Sequence, residues 1–210
     1  MLIVKSDYQD RLDEAKKLIV HISLTSNTGG VLETSILKSS YTLLLYNNLE
    51  ATVSSSITHI HDKASEHKYD ELSEEFKKLY ADYYHFDISK KKVKENLDGT
   101  VSGELKFPNF EDYCKRVNVF SGNIDLRSIN DINKNYGIGH ISLRGNNPAN
   151  ILTIKNKRNK LAHGEESFKN SCRQYSITEL TELGDSLEKL LNKFIELVDV
   201  FLTDRGYVNN

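Results

Sequence analysis

Hydrophobic residues recur every three or four positions along most of the chain, which is the spacing of the buried face of an α-helix. This pattern predicts seven helices, at residues 7–26, 32–65, 71–86, 110–119, 125–136, 148–163 and 177–203. A short loop joins the first two long helices, which predicts an antiparallel hairpin. The last helix has an apolar face too wide for a two-stranded coiled coil, so it predicts the core helix of a bundle. The fold class is therefore predicted to be all-α.

The predicted helix at 148–163 has residues typical of helix ends on both sides. Asn147 and Pro148 stand at its start, where a capping residue and a first-turn proline are favoured. Gly164 follows its last residue, His163, at the position where a left-handed backbone commonly ends a helix. This segment is therefore predicted to be a well-defined helix.

The stretch at 87–110 interrupts the helical pattern. It contains Asp98 and Gly99, a pair favoured in tight turns, between two segments of alternating polarity. This arrangement predicts an inserted loop or hairpin in an otherwise helical protein. Composition does not otherwise change along the chain, so residues 1–210 are predicted to form a single domain.

Composition and charge exclude several classes of protein. With 38% hydrophobic and 28% charged residues, two prolines and no tryptophan, the chain is typical of a soluble helical protein. Its 28 basic and 30 acidic residues give a formal net charge of −2, so any contact with a polyanion must be local. Its apolar runs are far shorter than the ~20 residues of a membrane span, and its N-terminus lacks the pattern of a signal peptide. These features predict a cytoplasmic protein without a membrane partner.

The end of the predicted helix at 148–163 combines positive charge with a titratable side chain. It contains four cations and no acid before the histidine: Lys155, Lys157, Arg158 and Lys160. Asn159 and His163 are four residues apart and share one face, which the long Arg158 side chain can also reach. A histidine that titrates near neutrality is suited to proton transfer. The same residues also fit a solvated helix end in which His163 interacts with the helix dipole.

Neither the other histidines nor the cysteines predict a metal site or a disulfide. His59 and His61 are two residues apart on a helix and point about 200° away from each other, so they cannot bind one ion from the same face. Cys114 and Cys172 are isolated in the sequence and predict two free thiols. No metal or other cofactor is predicted.

The segment at 158–164, Arg-Asn-Lys-Leu-Ala-His-Gly, resembles the R-x4-6-H signature of the HEPN superfamily, with a polar residue after the arginine. Residues 121–125 and 134–138 also resemble the equivalent region of a stand-alone prokaryotic HEPN-like nuclease family. The motifs cover the chain from residue 121 onwards, and the helical layout extends the resemblance over its full length. It implies a HEPN-type bundle of two long antiparallel helix pairs, in which 87–110 is an insertion.

The resemblance implies a metal-independent endoribonuclease, acting as a toxin or an antiviral effector. Arg158 would hold the scissile phosphate, His163 would transfer protons, and Asn159 would orient the histidine or the phosphate. The neighbouring cations are predicted to bind RNA: Lys155, Lys157 and Lys160. One arginine and one histidine supply only part of what the reaction needs, so the family implies a homodimer whose two motifs face one cleft. An antitoxin or regulatory protein would restrain the activity.

The alternative is a HEPN-like interaction or nucleotide-binding module that cleaves nothing. Both functions share the fold and the dimer, so the sequence leaves both open. They differ in whether Arg158 and His163 lie where a single RNA phosphate can reach them from solvent.

Overall fold

The computed structural model describes residues 1–28, 30–85, 90–119 and 123–209. Within these ranges the chain forms nine α-helices: α1 (Leu2–Thr28), α2 (Val31–Ala64), α3 (Glu74–His85), α4 (Lys90–Ser102), α5 (Phe110–Arg116), α6 (Leu126–Tyr136), α7 (Asn147–Ala162), α8 (Phe168–Ser171) and α9 (Ile177–Thr203). The same ranges contain no β-strand, only an isolated bridge between Leu72 and Val208. The predicted all-α class is confirmed. None of the described helices has the length and apolar character needed to cross a membrane.

The helices form two compact units. The first consists of Met1–Val53, Asn123–Ser128 and Ile141–Ile195. The second consists of Ser54–Gly122, Ile129–His140 and Glu196–Asn210. The long helices α2 and α9 therefore contribute residues to both units.

In the first unit, α1 runs antiparallel to α9. The Tyr8 hydroxyl donates a hydrogen bond to Asn192 Oδ1 at 2.9 Å, and Lys16 forms an ion pair with Glu188 at 3.1 Å. Helix α1 begins several residues before the predicted start at residue 7, because the buried side chain of Val4 extends its apolar face.

Gly184 allows α2 and α9 to approach closely in the first unit. A methyl group at this position would collide with the hydroxyl group of Tyr41, which is itself buried. Glycine within a helix usually costs about 0.5–1 kcal/mol relative to alanine. Here the close contact explains why a glycine stands in the middle of a long apolar helix.

Helix α7 carries the signature and has a well-defined end. It begins one residue before the predicted helix at 148–163, with Pro148 in its first turn. At its C-terminus Gly164 has a φ of +70°, and the N–H of Glu165 donates to the carbonyl oxygen of Lys160 at 2.9 Å. This pair of features is the Schellman arrangement, which confirms the predicted role of Gly164. His163 is the capping residue, directly after the last helical residue.

The predicted loop or hairpin around 87–110 is wrong for most of this stretch. Residues 90–102 form helix α4, so Asp98 and Gly99 are helical. Residues 87–89 lie outside the described ranges. The turn follows later, at Gly103, which has a φ of +74°.

Contacts between α3 and α4 explain why this segment is helical. The Tyr80 hydroxyl lies 3.0 Å from Thr100 Oγ1, and the Asn96 amide donates to the backbone carbonyl of Tyr84 at 2.6 Å. These contacts form only when α4 is a helix that packs on α3. The turn preference of an Asp-Gly pair is weak by comparison, and tertiary packing overrides it.

A buried histidine occupies the core of the second unit. His61 is fully buried, and its ring packs against the rings of Phe107, Phe110, Tyr113 and Tyr136. Its Nδ1 donates to the Pro108 carbonyl at 2.8 Å, so its Nε2 accepts from the Tyr136 hydroxyl at 2.7 Å. Burial lowers the pKa of His61 to about 4, although the hydrogen bond to Pro108 raises it. His61 is therefore a neutral core residue.

Candidate functional site

Arg158 lies against two residues of α2 that are one helical turn apart. Its guanidinium carbon is 4.7 Å from the centre of the Tyr46 ring. Its Nη2 is 3.8 Å from Glu50 Oε2, and the Arg158 and Glu50 side chains are 24% and 35% exposed. A planar guanidinium stacks well on an aromatic face, so Tyr46 restricts the orientation of the arginine. One edge of the guanidinium faces the carboxylate, and part of the side chain reaches solvent.

The Asn159 side chain connects Arg158 to the segment before α6. Arg158 Nη1 donates to Asn159 Oδ1 at 3.2 Å, and the Asn159 amide nitrogen donates to Asn123 Oδ1. Its backbone carbonyl, rather than its side chain, contacts the histidine by accepting the His163 N–H at 2.9 Å. The side-chain hydrogen bonds of Asn159 therefore link Arg158 to Asn123, and its contact with His163 is through the backbone.

Residues 123–125 each contact a side chain of α2 or α7 near Arg158. Asn123 accepts the bond from Asn159, the Ile124 N–H donates to the Tyr46 hydroxyl at 2.9 Å, and the Asp125 carboxylate binds the Lys155 ammonium. The segment thus joins α2 to α7 beside the arginine. Residues 121 and 122, which carry part of the same family resemblance, lie outside the described ranges.

His163 is exposed at the end of α7. In the part of the chain that the structure describes, no side chain forms a hydrogen bond or an ion pair with its imidazole ring. Its backbone follows Asn159 by one helical turn, and the bond between these two residues fixes the cap. An exposed imidazole at this position can exchange protons with a bound substrate.

The three lysines predicted to bind RNA are all paired with carboxylates. Lys155 binds Asp125, whereas Lys157 and Lys160 bind Glu166 at 3.0 and 2.8 Å. Hydrogen bonds from Lys160 and Lys157 lower the pKa of Glu166 to about 2. Lys157 is 13% exposed and Lys160 is 47% exposed. Of the two lysines that share Glu166, Lys160 is therefore placed to reach a ligand, whereas Lys157 stabilises the helix end.

Three residues of this site were not predicted from the sequence: Tyr46, Glu50 and Asn123. The apolar spacing of α2 predicts a core helix, but it does not indicate which turn faces Arg158. One signal was present, because Glu50 is the only Asp, Glu, Lys or Arg between Lys38 and Asp62. A single charge within such a long uncharged part of a helix suggests a specific partner.

A concave cavity of about 430 Å³ lies elsewhere, in the second unit. Its walls come from α3, α4 and the turn at 68–70, and include Tyr69, Tyr80 and Val101. None of the signature residues lines it. The candidate site is therefore defined by the chemistry around Arg158 and not by this cavity.

The comparisons with known proteins identify the family. A model of MAE_28990-like HEPN domains matches residues 4–207, which include the signature and nearly all of the chain. No curated protein and no solved structure gives a significant match. HEPN domains are generally associated with ribonuclease activity. The chain belongs to the MAE_28990-like HEPN family.

Proposed function

We propose that this protein is a metal-independent endoribonuclease in which Arg158 binds the scissile phosphate and His163 transfers protons. The observation that carries this proposal is the setting of Arg158. Tyr46 and Asn159 hold its guanidinium in one orientation, and the exposed imidazole of His163 follows on the same helix. A fixed, partly exposed guanidinium and an exposed imidazole at the end of one helix supply two of the groups that RNA cleavage through the 2′-hydroxyl needs.

The reaction needs a base, an acid and positive charge. The ribose 2′-oxygen loses its proton to a base and bonds to the adjacent phosphorus. The bond from phosphorus to the 5′-oxygen then breaks, and the leaving oxygen takes a proton from an acid. The products end in a 2′,3′-cyclic phosphate and a 5′-hydroxyl. Arg158 stabilises the charge that accumulates on the phosphate oxygens, and neutral or protonated His163 provides the base or the acid.

A second copy of the chain would complete the site. One histidine cannot act as base and acid in the same step, whereas a two-fold symmetric dimer offers a second His163 and a second Arg158. We therefore propose a homodimer in which both signatures face one RNA strand. Light scattering at micromolar concentration should give the mass of two chains, and a monomer that cleaves RNA would exclude the shared site.

The biological role follows from this activity. An unrestrained ribonuclease in the cytoplasm damages its own host, so we propose a toxin or antiviral effector that an antitoxin or regulatory protein holds inactive. Expression of the wild type alone should slow bacterial growth, and His163→Ala should relieve this effect.

Incubation with total cellular RNA in the presence of a chelator tests the proposed activity. Wild type should fragment the RNA, and His163→Ala should be slower by roughly 10²–10⁴-fold, the usual contribution of general acid–base catalysis. His140→Ala is the matched control, because His140 is also exposed and lies outside the signature. Complete loss of activity in chelator, restored by a divalent ion, would indicate a metal nuclease instead.

The second candidate function is a non-catalytic interaction or nucleotide-binding module. The ion pair between Arg158 and Glu50 favours it, because a carboxylate already faces the cation that should bind phosphate. If wild type cleaves RNA no faster than a buffer control, and folded His163→Ala and Arg158→Ala give the same result, the second function is favoured.

A further inference from the structure

The carboxylates along α7 differ in how closely they hold their cations. Lys157 and Glu166 are 3.0 Å apart, within hydrogen-bond distance, and Lys157 also donates to the backbone carbonyl of Ser171 at 2.6 Å. Arg158 and Glu50 are 3.8 Å apart, which is too far for a hydrogen bond. The pair that contains the proposed phosphate-binding residue is therefore the looser one.

Solvent exposure also indicates that the Arg158–Glu50 pair is the looser one. The Arg158 side chain is 24% exposed against 13% for Lys157, and Glu50 is 35% exposed against 23% for Glu166. Ion pairs that water reaches contribute little to stability. A phosphodiester offers two oxygens that match the two prongs of a guanidinium, which is a stronger contact than a single carboxylate oxygen at this distance. A phosphate can therefore replace Glu50 at low cost.

We propose that Glu50 is the resting counter-ion of Arg158, and that an RNA phosphate replaces it on binding. This inference rests on the proposed function, because it takes Arg158 as the phosphate-binding residue. The Tyr46 ring and Asn159 hold the guanidinium through contacts that do not involve the carboxylate, so Arg158 stays in place during the exchange. Glu50 repels the incoming phosphate and thereby limits the affinity for RNA.

Binding of an uncleavable RNA measures this effect separately from catalysis. The probe is a fluorescent 2′-O-methyl oligonucleotide, which has no free 2′-hydroxyl, and the readout is its anisotropy with the full chain. Glu50→Gln removes the charge at constant size and should tighten binding by about three- to tenfold. Glu33→Gln is the matched control on the exposed first turn of α2, and should change the affinity by less than about twofold.

Two further variants test whether the change in affinity acts through the pair of Arg158 and Glu50. Glu50→Gln in an Arg158→Ala background should no longer tighten binding, because its effect acts through the arginine. Glu50→Asp withdraws the carboxylate by one methylene and should tighten binding by about twofold, which also tests the inference if Glu50→Gln does not fold.

Unchanged or weaker binding by a folded Glu50→Gln would overturn the inference, as would equal tightening without Arg158. Failure of the proposed function gives a different result. In that case Arg158→Ala alone binds the oligonucleotide as tightly as wild type, whatever residue occupies position 50.

Discussion

Arg158 of α7 stacks on Tyr46 of α2, with its guanidinium carbon 4.7 Å from the ring centre. The opposite end of the same tyrosine accepts a hydrogen bond from the Ile124 N–H at 2.9 Å. Tyr46 therefore contacts both the arginine and the segment whose Asn123 binds Asn159. One aromatic residue in the middle of a core helix thus fixes two parts of the candidate site.

Replacing Arg158 by lysine tests whether a positive charge alone is sufficient. Lysine cannot stack as a plane on Tyr46, nor present two parallel donors to a phosphate. We expect Arg158→Lys to reduce RNA cleavage by about tenfold or more while the melting temperature changes little. Arg127→Lys, at an exposed position of α6, is the control and should cleave like wild type. Near-normal cleavage by Arg158→Lys would mean that the planar geometry is irrelevant.

Two lysines of α7 should have separable roles. Burial raises the pKa of the Asp125 carboxyl, but hydrogen bonds from Lys155 and Ser128 bring it below its ordinary value. Lys155→Ala leaves this partly buried carboxylate without its cation, so we expect a loss of roughly 1–3 kcal/mol in the free energy of unfolding. Lys160→Ala should leave the free energy of unfolding nearly unchanged, because Lys157 still binds Glu166.

Lys155→Ala and Lys160→Ala should also differ in RNA affinity. Here we expect Lys160→Ala to have the larger effect. Lys160 is the more exposed of the two, so its removal should weaken oligonucleotide binding severalfold. Denaturant unfolding and fluorescence anisotropy provide the two measurements. If Lys155→Ala is as stable as wild type, the structural role of its ion pair with Asp125 is wrong.

Stability should depend on pH through His61. Its pKa of about 4 in the folded protein lies below the ordinary value of about 6.5. Between these values the unfolded chain takes up a proton that the folded chain does not, so the free energy of unfolding falls as the pH falls. The loss should approach the order of 3 kcal/mol at pH 4 and be absent above pH 7.

Urea unfolding at a series of pH values measures this dependence. His61→Asn should be less stable throughout but should show a shallower slope between pH 6.5 and 4.5. His140→Asn changes an exposed histidine and should keep the slope of the wild type. An equally steep slope in His61→Asn would assign the pH dependence to other groups.

Much of the fold could be predicted because it depends on local patterns. Apolar spacing identified the long helices α2 and α9 almost to the residue, and Gly164 marked the end of α7. The helical state of α4 could not be predicted, since it depends on contacts with α3 that no local pattern encodes.

The candidate site also has one part that could be predicted from the sequence and another that could not. Arg158, Asn159 and His163 were predicted because they are close in sequence and lie at the end of one helix. Their partners Tyr46 and Glu50 were not predicted, because pairing between distant helices depends on how whole apolar faces pack. The pairing of Lys155 with Asp125 was missed for the same reason, whereas Lys157 and Lys160 pair with Glu166 in the turn that follows α7.

A mixed dimer tests whether two copies share one site. A dimer of one wild-type chain and one chain that carries both Arg158→Ala and His163→Ala keeps one complete signature, but only half of a shared site. After co-expression, purified dimers with two different tags should cleave RNA at far less than half the wild-type rate. If the mixed dimer keeps about half of the wild-type activity, each chain must carry a separate site.

A single 2′-deoxy substitution tests the proposed chemistry most directly. The linkage that wild type cleaves is first mapped on an RNA oligonucleotide, and the nucleotide on its 5′ side is then replaced by its 2′-deoxy form. Attack by the 2′-hydroxyl predicts that cleavage stops at this linkage, continues at other mapped linkages in chelator, and leaves 2′,3′-cyclic phosphate ends. Undiminished cleavage at the substituted linkage would contradict the proposed roles of Arg158 and His163 in this reaction.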